Sequence, residues 1–147
     1  MNMYGCKVCG YVAIDGVIPD TCPVCHAPKT AFSQKTDLKS SKDIAVAGES
    51  EKKHIPFFTV VKQCGLFPNT GCTDIHVKIG EIAHPMTAEH YIMTIDLYID
   101  QKWVSRSSLM PDKINAATAV HIKIPSGTLT AIEHCNLHGW WMNEVAF

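Results

Sequence analysis

The chain has 147 residues, of which 46% are hydrophobic, and a formal net charge of −1. That length holds one domain, or a small module followed by a domain of about 100 residues. Lys and Arg are scattered without a basic stripe, which argues against a nucleic-acid partner, and no apolar run approaches the ~18 residues of a membrane span.

The first residues, Met1-Asn2-Met3-Tyr4-Gly5-Cys6, carry neither a basic region nor an apolar signal core, and they enter a cysteine motif at once. A cytoplasmic chain with no membrane partner is expected, in which paired cysteines hold metal rather than form disulfides.

Residues 1–36 read as a small metal-held domain. They contain Cys6-Lys7-Val8-Cys9-Gly10-Tyr11 and Cys22-Pro23-Val24-Cys25. Each Cys-x-x-Cys is a tight knuckle that aims two sulfurs at one ion, and two knuckles make a tetrahedral four-thiolate site. So short a segment cannot build its own core, so the metal is expected to hold it folded. Four thiolates take zinc or iron, and spacing alone does not choose. The two motifs, with Pro28-Lys29 and Phe32, resemble the rubredoxin-like domain that ends rubrerythrins. The resemblance implies a one-electron Fe(Cys)4 centre at Cys6, Cys9, Cys22 and Cys25. His26 then reads as a surface residue, since the tetrahedron is already full.

Residues 37–50 are polar, with isolated apolar positions such as Ile44 and Val46. They read as a linker that has room for one short docked strand.

From Ile55 onward the pattern is β. Phe57, Phe58, Val60 and Val61 make a thick apolar strand, while Ile75, Val77 and Ile79 alternate with His76 and Lys78. Residues 91–99 alternate from Tyr91 to Ile99, and Val120, Ile122 and Ile124 alternate with His121 and Lys123. Period-two runs broken by Gly, Pro and Asp predict an antiparallel β-sandwich of about seven strands over residues 51–147. A short helical turn is expected at Pro111–Ala117, and no long helix is evident. His76 and His121 fall on the polar phase of their strands and are expected to face solvent.

The chemistry concentrates near the C-terminus, in Glu133-His134-Cys135-Asn136-Leu137-His138-Gly139-Trp140-Trp141. Cys135 and His138 can reach one ion because the strand stops and the chain turns between them. His54, His84 and His90 complete the set best: His84 precedes Pro85 in a loop, and His90 opens the next long strand. Four imidazoles and one thiolate suit a five-coordinate redox metal with an empty sixth position.

Lys53-His54-Ile55-Pro56, His84-Pro85-Met86 with His90-Tyr91-Ile92, and Cys135-Asn136-Leu137-His138-Gly139 closely resemble the superoxide reductases of the desulfoferrodoxin and neelaredoxin family. The resemblance spans about residues 51–147, in the family's motif order. It implies an immunoglobulin-like sandwich and a non-haem Fe(His)4(Cys) centre. In that centre His54, His84, His90 and His138 are equatorial, Cys135 is axial, and Lys53 is the cation beside the open position. It implies reduction of superoxide to hydrogen peroxide, with reduced rubredoxin or a similar electron donor as partner, and a homo-oligomer, namely a dimer. The Fe(Cys)4 centre is then an electron relay. Trp140 and Trp141 are candidates to cover the sulfur side, and the N–H groups of Leu137 and His138 to hydrogen-bond the sulfur.

Three departures from the family pattern stand out. Lysine occupies position 52, where the family's Glu-Lys-His has its glutamate, a residue that can occupy the sixth position of the oxidised iron; Glu51 lies one residue earlier. Between His54 and His84 runs an insertion-like loop, Cys64-Gly65-Leu66-Phe67-Pro68-Asn69-Thr70-Gly71-Cys72. Its cysteines read as reduced, incidental thiols, with a redox-sensitive disulfide as the alternative. The N-terminal module is of the rubrerythrin type, whereas many two-iron members carry a desulforedoxin-like module.

Two other functions compete. A cupredoxin-like electron-transfer protein would use Cys135, His138 and Met142 with one further histidine. A zinc ribbon joined to an immunoglobulin-like interaction domain would explain the fold but not the ligand clustering.

Overall fold

A computed structural model of the chain describes residues 2–43, 46 and 48–147. Ile44, part of the expected linker, lies outside the described residues. The strands are β1 (Met3–Cys6), β2 (Val12–Ala13), β3 (Phe32–Lys35), β4 (Lys39–Ser40), β5 (Pro56–Val61) and β6 (Thr73–Ile79). They continue with β7 (Ile92–Ile99), β8 (Lys102–Ser108), β9 (Ala117–Ile122), β10 (Thr128–Cys135) and β11 (Gly139–Ala146). One six-residue helix, α1 (Glu49–His54), precedes β5. No described helix is long and apolar enough to cross a membrane.

Seven strands, β5 to β11, make the sandwich that the alternation predicts. One layer is β5-β6-β9, and the other is β11-β10-β7-β8 with β4 added at its edge. Ile75, Val77 and Ile79 of β6 meet Ile95 and Leu97 of β7 and Leu129 and Ala131 of β10 in a fully buried core. The β4–β11 pairing is parallel and holds the stretch after residue 37 against the sandwich, with Trp141 opposite Lys39 and Met142 opposite Ser40. This is the short docked strand for which the polar stretch had room. Two details differ from the periodicity reading. Residues 111–114 form a turn and a bend rather than a helical turn, and β9 stops at Ile122, leaving Ile124 exposed.

Strand β7 is buried on both faces, which explains why its outward-phase residues include Tyr98 and Asp96. The three-stranded sheet β2-β1-β3 packs over that outer face. Tyr11, Val12, Ile14 and Phe32 share a second core with Tyr98 and Ile132. Tyr11 stacks on Tyr98 with ring centroids 6.1 Å apart, and the Tyr98 hydroxyl donates to the Val12 carbonyl at 2.9 Å. Arg106 makes a bidentate pair with Asp96 at 2.5 and 2.7 Å and donates to the Cys9 carbonyl at 2.7 Å. The N-terminal segment therefore has apolar support from the sandwich besides any metal. A bidentate guanidinium in a buried seam fixes orientation as well as adding energy.

Candidate metal centres

The N-terminal knuckles are held by short backbone bonds. Cys6 N–H donates to the Tyr11 carbonyl and Cys22 N–H to that of Ala27, at 2.8 and 2.9 Å. The N–H groups of Tyr11 and Ala27 point in turn at the sulfurs of Cys9 and Cys25. The four sulfurs lie within 4.8 Å of one another, with Cys6–Cys25 at 3.7 Å and Cys9–Cys22 at 3.6 Å. A tetrahedron with metal–sulfur bonds of about 2.3 Å has edges near 3.8 Å, so the cage fits one ion. His26 is exposed, outside the cage.

The second cluster is assembled by four separate pieces of chain. Cys135 ends β10 opposite Gly139, the first residue of β11, so the turn 136–138 carries His138 back over the sulfur. Gly139 takes φ +78°, a left-handed conformation that admits glycine without strain. A one-residue irregularity in the β10–β7 register, between His134 and Cys135, sets Cys135 opposite Ile92. Asn136 ties the turn to the β7 side: its Oδ1 accepts from Tyr91 N–H at 2.9 Å, and its Nδ2 donates to the Glu89 carbonyl.

His54 is the last residue of α1, and Gly80 fixes that helix end. A Cβ at Gly80 would lie 2.3 Å from the Lys52 carbonyl oxygen and 2.8 Å from the Lys53 carbonyl carbon. Only glycine lets the two backbones approach so closely. His84 follows in the same loop, its N–H bonded to the Ile79 carbonyl at 2.9 Å.

His54, His90, Cys135 and His138 each offer a donor atom within 4.8 Å of the others. His84 joins them, with Nε2 3.6 Å from Cys135 Sγ and its ring 4.7 and 4.6 Å from those of His54 and His90. The second nitrogens are engaged in the way metal ligands require. His54 Nδ1 faces Glu133 Oε1 at 3.2 Å, and His84 Nδ1 donates to the Pro85 carbonyl at 2.7 Å, which leaves each Nε2 free. His138 turns Nδ1 toward Cys135, 3.8 Å from the sulfur. His90 Nε2 is buried with no hydrogen-bond partner among the described residues. An orphaned imidazole nitrogen beside a thiol and three more imidazoles fits a bound cation.

Electrostatics point the same way. Burial, helped by the neighbouring histidines, lowers the pKa of His54 to about 3, and burial lowers that of His84 to about 4. His90 is also pushed down by burial, His138 and Lys53. These rings stay neutral at physiological pH, the form that binds metal. Burial raises the Cys135 thiol, while the N–H groups of Leu137 and His138 pull it back. The cluster opens to solvent on one side, lined by Glu49, Ser50 and Lys53.

Several neighbours differ from the sequence reading. Trp141 stacks on the His54 ring, centroids 4.7 Å apart and 9° from parallel, and donates to the His138 carbonyl. Trp140 stacks instead on His134, away from the cluster. Glu51 lines a groove with Lys39 and Trp141, and the carboxylate at the opening beside Lys53 is Glu49. Glu133 was not singled out from the sequence. Its place two residues before Cys135, on the same strand phase, was the available signal. Met142 packs into the second core rather than beside Cys135, which removes the cupredoxin ligand set.

The fold and the cluster define a β-sandwich metalloprotein with one thiolate and four imidazole donors at its open centre, joined to a four-thiolate knuckle. The Desulfoferrodoxin family model matches residues 46–144, and the rubredoxin-like domain of rubrerythrin matches residues 4–33. The chain belongs to the desulfoferrodoxin family. It is 32% identical to the desulfoferrodoxin of Desulfarculus baarsii over 98% of this chain and 96% of that one. It is 32% identical to a superoxide reductase of Pyrococcus abyssi over 71% of this chain and 96% of that one. Among solved structures it is similar to the superoxide reductase (neelaredoxin) of Archaeoglobus fulgidus in the reduced form. That similarity has a TM-score of 0.58 at 26% identity and covers 76% of this chain and 98% of that one. The chain thus carries the donor sets of two iron centres.

Proposed function

We propose that the chain is a superoxide reductase, in which one electron and two protons convert one superoxide into one hydrogen peroxide. The observation that carries this reading is the cluster itself: Cys135 and four imidazoles converge, and the remaining side opens beside Lys53. His54, His84, His90, His138 and Cys135 would hold iron there, and Cys6, Cys9, Cys22 and Cys25 would hold the other. Iron held there would supply the electron, and Cys135 as a thiolate ligand would raise its electron density.

The chain's own groups do the rest. Neutral imidazoles add no negative charge that would repel an anion, and Lys53 sets a positive field at the opening. Such focusing raises association rates by about 10–10³-fold. Trp141 and Glu133 hold the His54 ring from its face and its Nδ1 edge, so its Nε2 is aimed before metal arrives.

In this reading residues 1–36 and 51–147 are two domains joined by 37–50, and the N-terminal centre relays electrons. Support for the relay comes from the seam: a Cβ at Gly10, the neighbour of Cys9, would lie 3.8 Å from His134 Nδ1, and His134 precedes Cys135. A reduced rubredoxin or similar one-electron protein in the cytoplasm is the proposed donor, and a homodimer the proposed assembly.

The test is stoichiometric. Iron-loaded protein with excess reductant should yield one hydrogen peroxide per superoxide consumed and evolve no dioxygen. Half a peroxide per superoxide, with dioxygen released, would make the activity dismutation and sink the proposal.

A further inference from the structure

The loop between β5 and β6 brings together a third set of donors, apart from both iron centres. Cys64 and Cys72 are drawn together by a hydrogen bond from Cys64 N–H to the Cys72 carbonyl at 3.2 Å. Strand alternation puts Cys72 and Asp74 on one face of the chain entering β6. The β6–β9 register sets Asp74 directly opposite His121. The outcome is a convergence on one ring nitrogen: His121 Nδ1 is 3.2 Å from Cys64 Sγ, 3.6 Å from Cys72 Sγ and 3.9 Å from Asp74 Oδ1. The two sulfurs and the imidazole nitrogen all fall within 4.8 Å of one another.

We propose that Cys64, Cys72, His121 and Asp74 form a third metal site, for a tetrahedral thiophilic divalent ion of the zinc class. Two thiolates, one imidazole and one carboxylate are donors that zinc accepts at four-coordinate structural sites. The carboxylate is already divided between two tasks. Its Oδ2 lies 3.1 Å from His76 Nε2, while Oδ1, on the side of His121, is buried without a hydrogen-bond partner among the described residues. A disulfide between Cys64 and Cys72 would satisfy the sulfurs but leave both the His121 nitrogen and Asp74 Oδ1 without a role. The Phe67 ring meets His121 at 6.2 Å and an angle of 62°, bringing the exposed loop tip down over the same imidazole. Bound metal would staple the insertion to β6 and β9, so that a loop with few apolar contacts of its own is ordered by ligation. Neither iron centre shares a residue with this site, so it stands or falls independently of the superoxide reductase reading.

The test uses the full chain with both iron centres loaded and zinc alone as the probe, in competition with a chromophoric chelator under reducing conditions. One zinc per chain should bind beyond the two irons. The double variant C64S/C72S should bind none, with both iron spectra and superoxide reduction unchanged. His121→Ala and Asp74→Asn should each weaken zinc by at least about tenfold. Cobalt(II) in place of zinc should give the intense visible bands of a tetrahedral thiolate site, absent in C64S/C72S. Zinc uptake equal in the native chain and C64S/C72S overturns the proposal. So does a Cys64–Cys72 disulfide that persists in protein kept under reductant, which would assign the pair to redox chemistry.

Discussion

His134 stacks face to face on Trp140, ring centroids 3.6 Å apart and 13° from parallel, and both rings lie against Gly10. Gly10 follows Cys9, and His134 precedes Cys135. The two metal-binding sequences therefore touch through one residue on each side. Lys35 sits over the outer face of Trp140, 2.9 Å from the ring centroid, which holds the stack in place by a cation–π contact. If the seam carries electrons, Trp140→Leu should slow reoxidation of the prereduced N-terminal centre by superoxide in stopped flow. The open centre, given electrons by an artificial reductant, should keep its own rate. Equal reoxidation rates in both proteins would remove the seam from the relay.

The hydrogen bond from His54 to Glu133 predicts a loss of metal affinity. Glu133 is fully buried, and of its two oxygens only Oε1 has a partner among the described residues. Glu133→Gln keeps the volume and replaces the carboxyl that orients the imidazole with an amide. Iron in the open centre should be held about 10–100-fold more weakly in chelator competition. The N-terminal centre should keep its spectrum. Iron retained with native affinity would reduce Glu133 to a packing residue.

The contact at Gly80 predicts a local structural failure. Gly80→Ala places a Cβ within 2.3 Å of the Lys52 carbonyl oxygen, so the end of α1 must move. Overpacking of this kind costs about 1–3 kcal/mol. Because His54 is the residue displaced, iron occupancy of the open centre should fall while the N-terminal centre stays filled. Full occupancy of both would show that the helix end relaxes without moving His54.

Much of this was legible because sheet burial and metal ligation both leave periodic or spaced signatures. Ile75, Val77 and Ile79 alternate in sequence and are buried in the core. The three histidine segments and Cys135-x-x-His138 come together as their clustering implies. What the sequence did not carry is orientation across elements. Trp140 and Trp141 point to opposite faces of β11, so one meets His54 and the other His134. Cys64, Cys72 and His121 are 57 residues apart at the extremes, and only the β6–β9 register brings them together. The short α1 breaks the register argument at the first ligand: in a helix residues 49 and 53 share a face, which neither 51 nor 52 shares with 53.

The buried imidazoles predict how the metal-free chain responds to acid. Folded His54 and His84 titrate near 3 and 4, whereas an unfolded histidine titrates near 6.5. The unfolded chain therefore takes up protons first as pH falls. Their contribution to stability is complete above about 6.5 and is lost progressively as pH drops toward 4 and then 3, by up to about 1.4 kcal/mol per pH unit for each ring. Glu133 works in the opposite sense, since burial pushes its carboxyl well above the usual range and the folded state keeps that proton. Urea midpoints measured from pH 7.5 to 5 should fall with acid, and fall more steeply in Glu133→Gln. A midpoint that rises on acidification would contradict the burial of neutral histidines.

The opening of the cluster is framed by Glu49 and Lys53, whose carboxylate and ammonium lie 3.2 Å apart across one turn of α1. An exposed pair of this kind adds little stability, so its consequence is the field it sets at the opening. Lys52, the residue that stands where the family has glutamate, does not line the opening, and Glu51 faces the groove beside Trp141. Lys53→Ala should therefore slow second-order reduction of superoxide by about 10-fold or more at low salt and flatten its dependence on ionic strength. Glu49→Gln should act in the opposite direction, because it leaves the Lys53 charge uncompensated. Lys52→Ala and Glu51→Ala should change both quantities far less, since neither side chain lines the opening. Pulse-radiolysis rates across a salt series separate these cases. A Glu51→Ala rate that rises as much as that of Glu49→Gln would mean that the carboxylate governing the opening is the one nearer His54, and that the helical register does not set the field at the centre.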